Sequence, residues 1–219
     1  MNYTRKITNT IIVVEMGNMK KQIYISADYS KESGDRDVVD TLNGWSNDKL
    51  HSIEFVDMAK VVSGSVAQDS DCRPCDLKKE FNRQINASSI VICVVGDKTA
   101  SRKGGSECSR VKTNQFYYPC TPYKQNTNGS KFCNKNGYYL PSSDVKEINS
   151  YSYLRHEFEQ AKNKNKTIII LYNSTRNELS WLPSYMKGYE ASAIPFWVID
   201  NYGRKIGNYF KVKEVLGYE

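Results

Sequence analysis

The chain has 219 residues, of which 39% are hydrophobic and 25% charged, and a formal net charge of +7. That length carries one domain with a sizeable core, alone or with a large insertion, and the composition is that of a globular protein. No apolar run approaches the roughly 20 residues of a membrane-spanning helix. No Lys/Arg run exceeds two residues, which argues against nucleic acid as a partner. The positive charge reads as a solvated lysine-rich surface; a milder functional reading is attraction of an anionic metabolite such as a dinucleotide.

In chain order, residues 1–19 read as a leader ahead of a domain spanning residues 20–219. The apolar stretch 10–14 is too short to span a membrane. It makes a poor signal peptide, because Glu15 follows at once and no small-residue cleavage site appears. The expected compartment is the cytoplasm. Residues 22–26 form a first strand. Val38, Val39, Leu42 and Trp45 then recur at helical spacing, and residues 51–56 form a second strand. Leu77, Phe81 and Ile85 mark a second helix at i, i+4 and i+8. Residues 90–95 are a continuous apolar run, as expected of a central parallel strand buried on both faces, and residues 168–171 are another. Residues 194–199 close the series as a last strand, with Pro195 placing it near an edge or at a strand start. This β-α-β alternation predicts an α/β fold: a doubly wound sheet of about five parallel strands with helices on both faces.

The region at about 100–150 breaks the rhythm. It is polar, rich in Gly and Asn, and follows the third strand directly, so it is expected at the carboxyl edge of the sheet, where open α/β folds bind ligands. Two readings stand: a lid over a cleft, or an ornamental insertion with mobile tips.

Six cysteines are present: Cys72, Cys75, Cys93, Cys108, Cys120 and Cys133. Cys93 lies inside the apolar run 90–95 and reads as an inert core thiol. Cys72 and Cys75 have metal-ligand spacing, but the remaining three do not supply a second pair. The alternatives are a structural zinc and free cysteines in an irregular segment; no metal is assigned to the site proposed below.

The stretch from Tyr153 to Ala161 reads as an amphipathic helix feeding a buried strand. Leu154, Phe158 and Ala161 fall at i, i+4 and i+7 on one apolar stripe. At about 100° per residue, Glu159 points away from that stripe while Glu157 sits at its edge. Glu157 is therefore expected to be partly buried, and a half-buried carboxylate between two strands is a candidate for chemistry. The structural alternative pairs it with Arg155 or a neighbouring lysine. His51 and His156 are the only histidines, and His156 points away from the stripe, which argues against a Ser-His or Cys-His nucleophile pair. Neither a P-loop nor a Gly-x-Gly-x-x-Gly pattern occurs.

In a doubly wound sheet, the segments beginning at Ser26 and at Gly96 meet the helix carrying Glu157 over the topological switch point. Ser26 and Asp28 could equally serve as a cap or turn, and Gly96-Asp97 as a turn.

Taken together, these pieces resemble the TIR domain, and more closely the TIR-like proteins of bacterial Thoeris anti-phage defence. The resemblance spans roughly residues 20–200. It rests on Ile23 to Tyr29 as first strand and following loop, which includes Ser26, Ala27, Asp28 and Tyr29. It rests also on Asp35 to Trp45 as first helix, including Arg36. The other two pieces are residues 86–99 as third strand with the Gly96-Asp97-Lys98-Thr99 turn, and the aromatic-x-x-x-Glu motif from Tyr153 to Glu157. The family usually has Trp where Tyr153 stands. The resemblance implies a flavodoxin-like fold and cleavage of the nicotinamide–ribose bond of NAD+, with NAD+ as substrate and no separate cofactor. It implies Glu157 as the catalytic residue, and Ser26, Ala27, Asp28, Tyr29, Arg36, Gly96, Asp97 and Tyr153 as the substrate-binding set. It also implies an ADP-ribose-derived signal that reaches a downstream effector, and homo-oligomers through contacts between TIR domains. The alternative is a non-catalytic TIR-like scaffold or interaction module.

The chemistry fits a single carboxylate. Nicotinamide leaves as a neutral molecule from a cationic substrate, so no general acid is needed, unlike glycosidases with their carboxylate pair. One carboxylate near the anomeric carbon can stabilise oxocarbenium-like charge or hold the ribose hydroxyls.

Overall fold

Two runs of β-branched and aliphatic residues set the centre of the molecule. A computed structural model describes residues 21–30, 33–46, 53–56, 73–102 and 152–218. In it, strands β1 (Lys21–Ser26), β2 (Ile53–Val56), β3 (Ile90–Val95), β4 (Thr167–Tyr172) and the short β5 (Ile194–Pro195) form a five-stranded sheet of order β2-β1-β3-β4-β5. Every pairing in it is parallel. All six residues of β3 are buried, as are five of the six in β4, because helices cover both faces. The predicted doubly wound parallel architecture is thus the observed one, and β1, β3 and β4 are neighbours, as the apolar runs require.

Four helices are described: α1 (Asp35–Ser46), α2 (Arg73–Ala87), α3 (Tyr153–Asn163) and α4 (Tyr209–Val215). Alternation along the strands splits the core in two. On one face Ile23, Ile25, Ile92 and Leu171 pack against Val38, Val39 and Leu42 of α1 and Val212 of α4. On the other, Tyr24, Val91, Cys93 and Ile170 pack against Phe81 and Ile85 of α2 and Phe158 and Ala161 of α3. Cys93 is a buried free thiol, as its position in the run predicts.

One element differs from expectation. Residues 194–199 are not a single closing strand. Ile194–Pro195 adds to the sheet edge beside β4, and the chain then leaves: Trp197–Ile199 (β6) pairs antiparallel with Lys205–Gly207 (β7). Past Pro195 the Phe196 and Trp197 N–H groups still donate to Tyr172 O and Ser174 O at 2.9 and 3.0 Å, while the other edge of residues 197–199 is left for a new partner. The hairpin supplies it, closed by a turn in which Asp200 Oδ1 accepts the Tyr202 and Arg204 N–H groups at 2.9 and 2.8 Å and Gly203 takes φ +77°. Neither β7 nor α4 was expected from the sequence.

The leader 1–19, most of the insertion at about 100–150 and Cys72, Cys108, Cys120 and Cys133 lie outside the described residues, as does the side chain of Cys75. Among the described residues no helix is long and apolar enough to cross a membrane.

Candidate functional site

Strand order reverses between β1 and β3, and this crossover places the loops after them side by side. α3 enters from the segment ahead of β4. Its start is set by Ser152, whose hydroxyl accepts the Arg155 N–H at 3.1 Å, a side-chain N-cap. Its end is set by Asn165, which takes the left-handed φ of +52° and turns the chain into β4. Between these, Leu154, Phe158 and Ala161 bury the predicted stripe, and Glu157 goes in with them, leaving 5% of the residue exposed.

Among the described residues, the groups that bear on the Glu157 carboxyl are polar and uncharged. Tyr24 and Ser26 project from β1, Cys93 from β3, and Tyr185 from the segment after β4. Ser26 and Cys93 are register partners and so share the α3 face. Burial pushes the Glu157 carboxyl up to about 8 from an ordinary 4.5; the Ser26 and Tyr24 hydroxyls lie close enough to offset part of this by favouring the charged form. Neither hydroxyl, nor Glu157 Oε2, reaches full hydrogen-bonding geometry with a described residue. The same burial and the same carboxyl push the Tyr24 and Cys93 protons to be held more tightly.

The pairing of Glu157 with a neighbouring cation is not what the side chains do. Arg155 bonds Glu159 at 2.7 Å, and His156 Nε2 meets Asn82 Oδ1 of α2 at 2.9 Å. Glu159 is thus a half-exposed partner of Arg155 rather than a plainly solvated acid. Among the described residues Glu157 has no ion pair.

A second buried acid lies across the sheet. Asp35, the first residue of α1, is 1% exposed. Asn173 Nδ2 donates to its Oδ1 at 2.9 Å, and Trp197 Nε1 donates to Asn173 Oδ1 at 2.6 Å. Burial pushes the Asp35 carboxyl up to about 6, with the Asn173 bond working against that and the charges of Asp28 and Asp97 adding to it. Gly96 permits this packing: a Cβ there would stand 2.5 Å from Asp35 Oδ1.

The predicted substrate-binding set divides between these two centres. Ser26, 1% exposed, sits with Glu157. Asp28 and Asp97 do not line the Glu157 carboxyl; their charges act on Asp35. Asp28 does the turn work that Asp after a strand commonly does, its Oδ1 accepting the Ser30 N–H at 3.0 Å, and Arg102 pairs with its Oδ2. Asp97 is exposed in a turn where Thr99 Oγ1 accepts the Gly96 N–H at 2.8 Å. Ala27 is buried in the α1-face core. Arg36 bonds Asp40 at 2.9 Å and lies 5.5 Å from the Tyr29 ring centre. Tyr153 packs edge-on against Phe81 at 5.7 Å.

Sequence reasoning missed Tyr24, Tyr185, Asp35 as a buried acid, Asn173 and Trp197. Tyr24 could have been found, since period-2 alternation puts it on the face of Ser26. Asp35 could not, because an acid in a first helical turn is ordinarily a solvated partner of the helix dipole.

Among the described residues no group of three or more His, Cys, Asp or Glu side chains is placed to hold a metal ion. The arrangement can instead hold one carboxyl, neutral or ionised according to what binds beside it, next to two hydroxyls. In comparisons with known proteins, no family model, no curated protein and no solved structure matches the chain.

Proposed function

We propose that the chain is a TIR-like NAD+ glycohydrolase or ADP-ribosyl cyclase-type enzyme of flavodoxin-like fold, cytoplasmic, with Glu157 as its catalytic residue. The observation that carries this reading is a carboxyl with no ion pair among the described residues, 5% exposed, at the strand crossover beside Ser26. The strand order 2-1-3-4-5 supports the flavodoxin-like assignment. In this reading the bond between ribose C1′ and the nicotinamide nitrogen breaks, and its electron pair leaves with neutral nicotinamide. The ribose carbon gains oxocarbenium character, which an ionised Glu157 stabilises. Water then adds and gives up a proton, or a nucleophile within ADP-ribose closes a ring and gives up its proton. The product acts as a signal to a downstream effector in anti-phage defence.

The scaffold reading keeps one observation of its own. Leu179, Ile199, Tyr202, Ile206 and Phe210 are exposed, Tyr202 by 84% and Phe210 by 83%, as a contact surface between copies would have them.

The test is nicotinamide release from NAD+ by purified protein, with and without lysate of phage-infected cells. Glu157→Gln keeps shape and removes charge, and is expected to lower turnover by about two to three orders of magnitude. Glu159→Gln is expected to leave it within about twofold. A thermal melt checks folding. Equal release by Glu157→Gln and the parent moves the reading to the scaffold.

A further inference from the structure

Two short turns stand at the carboxyl edge of the sheet, and each is braced from within. After β3, Thr99 is buried, its Oγ1 accepts the Gly96 N–H at 2.8 Å, and the Arg102 N–H donates to Thr99 O at 3.3 Å. After β1, Asp28 Oδ1 accepts the Ser30 N–H at 3.0 Å. Ser33 Oγ lies 2.6 Å from Asp28 O and 3.0 Å from Ser30 O, both acceptors for its proton, and itself accepts the Asp35 N–H at 3.2 Å. The Arg102 side chain crosses from one turn to the other: its Nε donates to Asp28 Oδ2 and its Nη2 to Ser30 Oγ. The planar guanidinium thus holds two residues of the β1 turn at once, which a point charge does not do. The Asp28 side chain is 11% exposed and that of Arg102 34%, so solvent screens the pair only in part. Between Asp28 and Ser30 stands Tyr29, which packs against both halves of the core, including the half that contains Tyr24 and Phe158.

We propose that Arg102 is a positioning residue: its two-armed contact clamps the turn after β1 to the turn after β3 and so holds Asp28 and Tyr29 in place at the carboxyl edge of the sheet. Ser26 and Glu157 do not depend on this clamp. The strand register sets Ser26 opposite Cys93, and the buried stripe of α3 carries Glu157 in with it. In the NAD+ reading given above, on which this consequence rests, the clamp governs substrate binding through Asp28 and Tyr29 and leaves the charge supplied by Glu157 alone. The clamp itself does not rest on that reading.

The experiment is residue-resolved amide hydrogen exchange at the Ser30, Ser33 and Asp35 N–H groups, at about 0.1 M and about 1 M salt. It compares the parent with Arg102→Ala and with Arg102→Lys, which keeps the charge without the fork. In the parent, high salt is expected to lower protection of these amides severalfold, because it screens the ion pair. Arg102→Ala is expected to show the low value at both salt concentrations, and Arg102→Lys a value between. Amides of β3 and β4 are expected to exchange as in the parent. A merely structural loss spreads to the sheet and ignores salt, so a fall shared equally by β3 and β4 overturns the proposal. So does unchanged protection in Arg102→Ala. The salt response of the parent and the Arg102→Lys value decide the matter even where Arg102→Ala does not fold. Nicotinamide release, measured beside it, separates the clamp from the enzyme reading. Arg102→Ala is expected to raise KM for NAD+ about fivefold and to keep kcat within about twofold. Altered exchange with KM unchanged, or with the loss in kcat instead, overturns the link to substrate binding. A parent that releases no nicotinamide sinks the enzyme reading while exchange still decides the clamp.

Discussion

The hydroxyl of Ser26 and the carboxyl of Glu157 come together at the end of β1, near enough that the hydroxyl favours the ionised acid. They lie far apart in sequence, and the parallel register that sets Ser26 opposite Cys93 brings them to one face. Burial dominates this pair, so the carboxyl holds its proton at neutral pH when nothing cationic is beside it.

A cationic nicotinamide riboside beside Glu157 favours the ionised form, so binding of NAD+ is expected to expel about one proton near pH 7. Calorimetry in buffers of differing ionisation enthalpy measures it, and Glu157→Gln is expected to abolish it. For the same reason kcat/KM is expected to rise by about tenfold per pH unit and level off above about pH 8, where free Glu157 is ionised. A profile flat from pH 6 to 9 contradicts this.

Stability should carry the opposite sign. Unfolded Glu157 ionises near its ordinary 4.5 and folded Glu157 near about 8. Between those values the native state holds the extra proton, so this contribution is complete below pH 4.5 and lost as pH rises to 8. Asp35, raised to about 6, adds a like slope only at lower pH. From pH 6 to 8 the parent is therefore expected to lose up to about 1.4 kcal/mol per pH unit through Glu157. Denaturant unfolding of Glu157→Gln across that window should show this slope removed.

Gly96→Ala is expected to cost roughly 1–3 kcal/mol, because its Cβ would stand 2.5 Å from Asp35 Oδ1 and force the α1 start to shift. Gly44→Ala, with nothing within 4 Å of its Cβ in α1, is expected to stabilise by up to about 1 kcal/mol. Chemical denaturation of the two variants gives the comparison, and equal effects would mean that Gly96 is not held by close approach.

Ser152→Ala removes the hydroxyl that accepts the Arg155 N–H and is expected to cost about 1 kcal/mol. The loss belongs to the first turn of α3, so hydrogen exchange at residues 153–156 should rise more than at the helix end.

Much of the fold was legible because the residues repeat at periods set by local geometry. The runs 90–95 and 167–172 read as strands buried on two faces, and Leu154, Phe158 and Ala161 as one stripe of a helix, and both are so. The same stripe placed Glu157 at its margin. How deeply that residue is buried depends on Tyr24 and Tyr185, which local periodicity on α3 does not reveal.

Sequence by itself determined the order of the main elements through β4, the parallel sheet and the candidate acid on α3, because hydrophobic period and β-branching act over a few residues. Tertiary structure alone decided three things. It split residues 194–199 between sheet edge and hairpin, because contact with the end of β4 carries on only through the Trp197 N–H to Ser174 O while residues 197–199 pair with residues 205–207. It sent the charges of Asp28 and Asp97 to Asp35 rather than to Glu157. It also made Asp35 a buried, clamped acid, because Asn173 and Trp197 meet it only once β1, β3 and β4 lie side by side. Each depends on contacts between segments far apart in the chain, and no local pattern encodes which distant side chain will fill the space beside a carboxyl.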